Sequence, residues 1–376
     1  MTTKTGTNIS TPATVVAEQS NGRQGKPTEL LSMTVSFSNY PGDRYTHDEL
    51  GLSEAKVMEM YRCMLLQRRF EERSAQMYGK QKIGGFLHLY IGQEAISTGS
   101  VQALQVGHDS VITAYRDHGI ALALGMSSDE CMAELFGRID GCSKGKGGSM
   151  HFFSKEHGFY GGHGIVGAHI PVATGLAFAH KYKGDGGVCV CYLGDGAVWQ
   201  GSFHESLNLA SLYKLPVVYV IENNQYAMGT SVERAAADAD LFKQGVSYAK
   251  PGSLVDGMDV FSVTRAMRDH VEMARANQPS VVEIRTYRYR GHSMSDPGKY
   301  RTKEELDAHK NEDPILRLKA YILGNGLANN DTLDALDQSV KQEVHASVDF
   351  ADSSPFPPLE AIYDHVYTEE GFPFLV

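Results

Sequence analysis

The residues best suited to chemistry lie between Gly194 and Asn224. Asp195 stands between Gly194 and Gly196, and Glu222-Asn223-Asn224 follows further on. A hard divalent cation such as magnesium takes oxygen ligands in near-octahedral order, and a carboxylate and a carboxamide serve it well. Glycines beside the carboxylate let the backbone come close to a phosphate group. Taken singly, Asp195-Gly196 reads as a tight turn and Asn223-Asn224 as another. Taken together, at the tips of neighbouring strands, they read as a magnesium–diphosphate site.

The elements that must position them can be traced. Val188 to Leu193 and Pro216 to Ile221 are short apolar runs of strand length. Between them Ser202-Phe203-His204-Glu205 has the form of a capping box, opening a helix through about Tyr213. Strand, helix, strand with short connections is a right-handed parallel crossover. It delivers Asp195 and Asn224 to the carboxyl rim of a sheet, where open α/β folds bind ligands. Ser110 to Ala114, which ends at Tyr115-Arg116, and Val281 to Arg285 are further strand candidates.

Upstream, Val57, Met60, Tyr61, Met64 and Leu65 make one apolar helical stripe after Ser53. Arg68, Arg69, Glu71, Glu72 and Arg73 then read as a solvated or interface face. Ser127, Ser128 and Asp129 crowd the start of another helix, and Pro171 suits the first turn of a third. Past Gly291 the chain is helical and polar. Thr302-x-x-Glu305 is a second capping box, and Asp313-Pro314 fits an N-cap followed by proline. The expected architecture is α/β, a largely parallel sheet flanked by helices. A disordered or extended tail covers residues 1–40, the α/β domain 41–300, and a helical C-terminal extension 301–376.

Other motifs carry bland readings beside functional ones. Gly162-His163-Gly164-Ile165-Val166-Gly167 has the dinucleotide spacing G-x-G-x-x-G, but His151 to Tyr160 make a poor strand before it. Backbone exposed to a heterocycle is the better reading. Lys144-Gly145-Lys146-Gly147-Gly148 lacks the phosphate-loop pattern and reads as a glycine-rich turn. The fork of Arg116 suits a phosphate oxygen, or a surface carboxylate. His292 follows a strand in a basic loop, where it is either a proton-transfer group or a surface histidine. His88 sits among Phe86, Leu87, Leu89 and Tyr90, as a core histidine would.

Bulk properties exclude several classes. A net charge of −10 argues against nonspecific binding to nucleic acid or to an anionic membrane, and no apolar run reaches the length of a membrane span. Cys63, Cys131, Cys142, Cys189 and Cys191 form no zinc pattern and are odd in number. They read as buried small hydrophobes in a reducing compartment, without disulfide or zinc. The first residues show no secretory h-region. Their acids make a poor transit peptide, so the cytoplasm of a bacterium is expected, with a mitochondrial matrix or plastid as the eukaryotic alternative.

These residues carry a resemblance. Gly194-Asp195-Gly196, the run Glu222 to Arg234, Lys144 to His151, Gly164 to Gly167 and Tyr287 to Gly298 resemble the α subunits of 2-oxo acid dehydrogenase E1 components. The pyruvate type is closer than the branched-chain or acetoin types. The likeness spans roughly residues 45–370.

It implies a thiamine-diphosphate fold and a magnesium ion held by Asp195, Asn224 and the Tyr226 carbonyl. It implies that Tyr115, Arg116 and His292 contact the diphosphate and that Gly196 and Ala197 lie against it. Gly164 and Val166 would face the aminopyrimidine, and Ser154 would fall at another cofactor contact. His88 and His292 would be catalytic, His88 near the substrate. The implied reaction is oxidative decarboxylation of a small 2-oxo acid, pyruvate above all, with acetyl transfer to the lipoyl domain of an E2 acyltransferase. The implied partner is an E1 β subunit in an α2β2 heterotetramer, which supplies the glutamate that activates the cofactor. Trp199 departs from the family, which commonly has Asn before Gln200. Ser293 and Ser295 fall where some relatives are phosphorylated.

Overall fold

The computed structural model describes residues 35–366. Most of the expected tail lies outside them, as do residues 367–376 of the expected extension. In chain order the elements are β1 (Phe37–Tyr40), α1 (Glu54–Gly79), α2 (Glu94–Val101), β2 (Ser110–Ala114), α3 (His118–Ala123), α4 (Ser128–Leu135), β3 (Phe159–His163), α5 (His169–Lys183), β4 (Cys189–Gly194), α6 (Gly201–Leu212) and β5 (Val217–Asn223). A small hairpin of β6 (Tyr226–Ala227) and β7 (Thr230–Ser231) follows. Then come α7 (Val232–Ala235), β8 (Gly252–Asp256), α8 (Val260–Arg275), β9 (Ser280–Arg285), α9 (Lys303–Asn311), α10 (Pro314–Gly324) and α11 (Asn330–Ser353).

Seven strands form one sheet in the order β1-β8-β9-β5-β4-β2-β3, every neighbouring pair parallel. Alternation along the central strands divides the interior in two. Val190, Tyr192, Val218 and Val220 face the core built with α1, α2 and α8. Cys189, Cys191, Leu193, Val217, Tyr219 and Ile221 face the core built with α5 and α6. Both faces are covered, which is why these strands read as unbroken apolar runs. No helix of the described residues is long and apolar enough to cross a membrane.

Helix starts follow the expected chemistry in most places. Ser53 caps α1 through Lys56 N, Thr302 caps α9 through Glu305 N, and Asp313 caps α10 ahead of Pro314. The exception is Ser202. Helix α6 begins at Gly201 after an uncapped Gln200, and the Ser202 hydroxyl donates to the Gly167 carbonyl at 3.1 Å. That bond ties α6 to the glycine-rich turn instead of closing a capping box.

Three further expectations change. Phe37–Tyr40, inside the expected tail, is an edge strand paired with β8. The stretch after the α1 stripe is not uniformly a solvated face. Glu71 is buried, accepts from Tyr90 N at 2.7 Å and pairs with His118, while Arg68 bridges Glu94 and Asp313. His151 to Gly158 form no named strand, as expected, but a strand, β3, starts at Phe159 and runs into the Gly162 motif, on the sheet edge beside β2.

Candidate active site

Strands β5, β4 and β2 lie side by side, and their carboxyl ends carry Asn224, Asp195 and Tyr115-Arg116. Between these tips opens a cavity of about 280 Å³ lined by Gln93, Tyr115, Arg116, Val166, Asp195, Gly196, Ala197, Gln200, Glu222, Asn224, Tyr226 and Arg288 among others.

Local geometry explains how each side chain reaches it. Extended backbone at Gly194 passes into a short 3₁₀ turn, Asp195–Trp199, which turns the Asp195 carboxylate inward. A Cβ on Gly196 would stand 2.5 Å from the Ala227 Cβ, so only glycine lets the turn and the hairpin close together. After β5, Asn223 Oδ1 accepts from Gln225 N at 3.1 Å, and Gln225 takes a left-handed φ of 77°. This Asx turn spends the Asn223 oxygen on the backbone while its Nδ2 donates to Glu283 Oε1 at 2.8 Å, which leaves Asn224 to face the cavity. Its Nδ2 donates to Gln93 Oε1 at 3.0 Å, and its buried Oδ1 has no partner.

The electrostatics are those of an anion–cation site. Asp195 is buried, and among the described residues no side chain donates a hydrogen bond to it. Burial pushes its carboxyl up to about 6, against the pull of Arg288 and Arg116. Arg288 is only 1 % exposed, and its guanidinium donates to the carbonyls of Tyr226, Met228 and Arg290 and to the Tyr300 hydroxyl. Arg116 donates to the carbonyls of Leu89 and His292. Among the described residues neither guanidinium meets a carboxylate. Burial and the charge of Arg288 bring Arg116 down to about 10. Buried charges are ordinarily paired, so two such cations beside an open cavity call for an anion.

Behind Tyr115 lies an aromatic cluster. The His88 ring is 4.6 Å from that of Tyr115 and 5.1 Å from that of His292. The Nδ1 atoms of both histidines are buried and unpartnered. Burial, with the charge of Arg116, lowers His88 to about 2 and His292 to about 4.

The structure therefore brings together Asp195, Asn224, Tyr115, Arg116, Gly196, Ala197, Val166, Tyr226, His88 and His292. The Tyr226 carbonyl accepts from Arg288 Nη1 at 3.0 Å and keeps its second lone pair. Gly164 lies in the turn after β3 against the His151 ring, which an added Cβ would meet at 3.5 Å, and is not among the residues lining the cavity. Ser154 is not brought to the cavity. It bridges Phe159 at the amino end of β3, and its hydroxyl bonds His157 at 2.8 Å. The carboxyl rim is the other edge of the sheet. Trp199 is 40 % exposed, and the adjacent Gln200 lines the cavity.

The dinucleotide reading loses its acid. The residue about 20 positions past the fingerprint is Asp185, before the amino end of β4 and bonded to His180.

Sequence reasoning missed Gln93, Tyr90 and Arg288 as parts of the site, and named Glu222 in the motif without giving it a role. Glu222 accepts from the Tyr90 hydroxyl and from Gln93 Nε2 at 3.4 Å. Arg288 had a signal: a cation framed by Tyr287 and Tyr289 at the end of a buried strand. Gln93 had none, because its partners are distant in sequence.

The donor set fits a magnesium–diphosphate group. A buried carboxylate and an orphaned amide oxygen supply hard ligands, and unpaired guanidiniums supply the anion's countercharge.

Comparison with known proteins agrees with this geometry. Residues 61–360 match the family model described as the dehydrogenase E1 component. The chain is 54% identical over 316 residues to the "Pyruvate dehydrogenase E1 component subunit alpha" of Rhizobium meliloti (strain 1021), covering 84% of this chain and 90% of that protein. A protein of the same name from Zymomonas mobilis is 51% identical over 83% of this chain and 88% of its own. The "Pyruvate dehydrogenase E1 component subunit alpha-3, chloroplastic" of Oryza sativa is 41% identical over 93% of this chain and 86% of its own. A family match across most of the chain, meeting a site of the right chemistry, places the chain in the dehydrogenase E1 component family.

Proposed function

We propose that this chain is the α subunit of a pyruvate dehydrogenase E1 component. With a β subunit it decarboxylates pyruvate oxidatively and passes the acetyl unit to the lipoyl group of an E2 acyltransferase, using thiamine diphosphate and magnesium. The observation that carries the reading is the orphaned Asn224 Oδ1 beside the buried Asp195 carboxylate, in a cavity with two unpaired guanidiniums. The names of relatives at about half identity support it.

Asp195, Asn224 and the free lone pair of the Tyr226 carbonyl would hold the metal. Arg116, Tyr115 and His292 would bind the diphosphate, with Gly196 and Ala197 packed against it. Gly164 and Val166 would offer backbone to the heterocycle. Thiamine diphosphate supplies the electron sink that makes decarboxylation possible. The chain's own part is to orient that group, exclude water and present polar atoms to the substrate. His88 is held neutral, so its imidazole can exchange a hydrogen bond with the substrate without adding charge. We infer an α2β2 assembly and, in a bacterium, a cytoplasmic site of action.

The test is co-expression with a β chain and assay of pyruvate-dependent acetylation of a lipoyl domain. Activity should need both subunits, thiamine diphosphate and magnesium. Turnover by the α chain alone, or turnover indifferent to the cofactor, would refute the reading. Comparing kcat/KM for pyruvate with that for 3-methyl-2-oxobutanoate decides the substrate, since one pocket methylene shifts binding by only about 1–3 kcal/mol.

A further inference from the structure

A metal-binding carboxamide has a weakness that a carboxylate lacks. Its two ends differ, and a half-turn about the last side-chain bond replaces the ligand oxygen with an NH₂ group. Something must therefore decide which end of Asn224 faces the cavity. The Asp195 carboxylate on the neighbouring strand tip needs no such device.

Gln93 stands where the decision is made. It precedes α2, is fully buried, and belongs to the loop that also carries His88 and Tyr90. Its Oε1 accepts from Asn224 Nδ2 at 3.0 Å. Its Nε2 points the other way, to Glu222 Oε1 at 3.4 Å. The same Glu222 oxygen accepts the Tyr90 hydroxyl proton. The direction of the chain is fixed from its far end. A phenol donating to Glu222 and a carboxylate oxygen facing Nε2 require the Gln93 amide nitrogen on that side. The Gln93 oxygen then faces Asn224 and can accept only from Nδ2. Asn224 Oδ1 is left over, buried and unpartnered, on a residue that lines the cavity.

We propose that Gln93 is a positioning residue for the metal: it locks the Asn224 amide with its oxygen toward the cation, through the relay Tyr90–Glu222–Gln93–Asn224. The inference rests on Asn224 being a metal ligand, as proposed above. Groups behind metal ligands that fix their orientation have measurable weight, commonly ten- to a hundredfold in affinity.

The test uses the αβ complex with saturating thiamine diphosphate and Mn²⁺ as a paramagnetic substitute for Mg²⁺. Binding is read by electron paramagnetic resonance, with no turnover required. Gln93→Met keeps the volume and removes both polar ends. It should weaken Mn²⁺ binding about tenfold to a hundredfold while the metal-free complex still assembles and unfolds in one transition, at a midpoint lowered by the unsatisfied Asn224 Nδ2. Gln93→Glu retains an acceptor toward Nδ2 and, with one proton shared between it and Glu222, should recover much of the loss. A side chain that only filled space would show neither the loss nor the rescue. If Gln93→Met does not assemble, Gln93→Asn serves: one methylene shorter, it cannot span from Glu222 to Asn224 and should also bind Mn²⁺ weakly.

Parent-like Mn²⁺ affinity in Gln93→Met, or in Gln93→Asn where the first does not assemble, overturns the relay if Asn224→Ala has lost the ion. Parent-like affinity in Asn224→Ala overturns the metal site itself, a separate failure.

Discussion

Arg116 Nη2 donates to the His292 carbonyl at 2.8 Å, across 176 positions of sequence. The guanidinium that ends β2 thus fastens the loop after β9, and both residues border the cavity through Tyr115. One buried cation both shapes the pocket and charges it.

The consequence for Arg116→Lys follows from geometry. Lysine keeps the charge, but its single nitrogen lacks the fork by which Arg116 reaches the Leu89 carbonyl through Nη1 and the His292 carbonyl through Nη2 while facing a phosphate oxygen. Hydrogen bonds to charged groups contribute about 1.5–3 kcal/mol, so thiamine diphosphate affinity of the αβ complex should fall about tenfold to a hundredfold. Titration calorimetry reads this directly. Affinity within twofold of the parent would mean that the diphosphate lies elsewhere.

Asp195 gives a pH dependence whose sign can be worked out. Burial raises its carboxyl to about 6, above the ordinary value of 3.8. Without metal, the folded chain holds this proton more tightly than the unfolded chain. The group therefore favours folding below 3.8, and that advantage is lost as pH rises through about 6. Metal binding requires the carboxylate, so protons compete with the cation below that value. Magnesium affinity of the cofactor-loaded complex should drop by about tenfold per pH unit below 6. In Asp195→Asn the affinity should be weak and flat with pH, and a parent-like slope there would assign the titration to another group.

What the sequence revealed follows from how each element is buried. Strands β4, β5 and β9 are covered on both faces and stand out as apolar runs. Strand β3 does not, because it carries Gly161 and Gly162. A Cβ on Gly162 would fall 1.9 Å from the Asp117 carboxylate, so packing excludes the side chains that mark a strand. Strand β8, Gly-Ser-Leu-Val-Asp, is too short and polar to recognise. Helix α8 did carry a signal, with Asp259 as its cap and Val260, Val263, Met267, Val271 and Ala274 as its stripe. In the site, Asp195 and Asn224 were legible because adjacent strand tips put them together. Gln93 and Tyr90 were not, because their bonds join loops 129 and 132 positions from Glu222.

Glu134 on α4 shows how one carboxylate can fold a loop. Its two oxygens accept from the backbone of Ser143, Gly145, Gly147 and Gly148 at 2.7–3.0 Å. The next residue, Ser149, accepts from His88 N at 3.1 Å. Glu134→Gln replaces an acceptor oxygen with a donor that faces backbone N–H groups. Each buried donor left unsatisfied costs about 1–3 kcal/mol, so urea denaturation of the αβ complex should show a loss of at least that size. The KM for pyruvate should rise with it as the His88 loop loosens. Unchanged stability would mean that the glycine turn holds its shape without Glu134.

His88 and His292 share a cluster, yet they separate by experiment. His88 is lowered to about 2 by burial first and by Arg116 second, so it stays neutral across the working pH range. The unfolded chain takes up that proton first, so this histidine withdraws stability as pH falls below 6.5 and adds no limb to the rate profile near neutrality. Its Nδ1 is buried and has no partner, and the proposed role gives it one in the substrate. His88→Gln should lower kcat/KM for pyruvate by about a hundredfold and leave thiamine diphosphate affinity unchanged. His292→Asn should do the reverse in emphasis, weakening the diphosphate more than the chemistry, because the ring it removes borders Tyr115. Measuring both constants on both variants settles the division of labour. A His88 variant that loses cofactor affinity and keeps kcat/KM would place that ring at the diphosphate and not at the substrate.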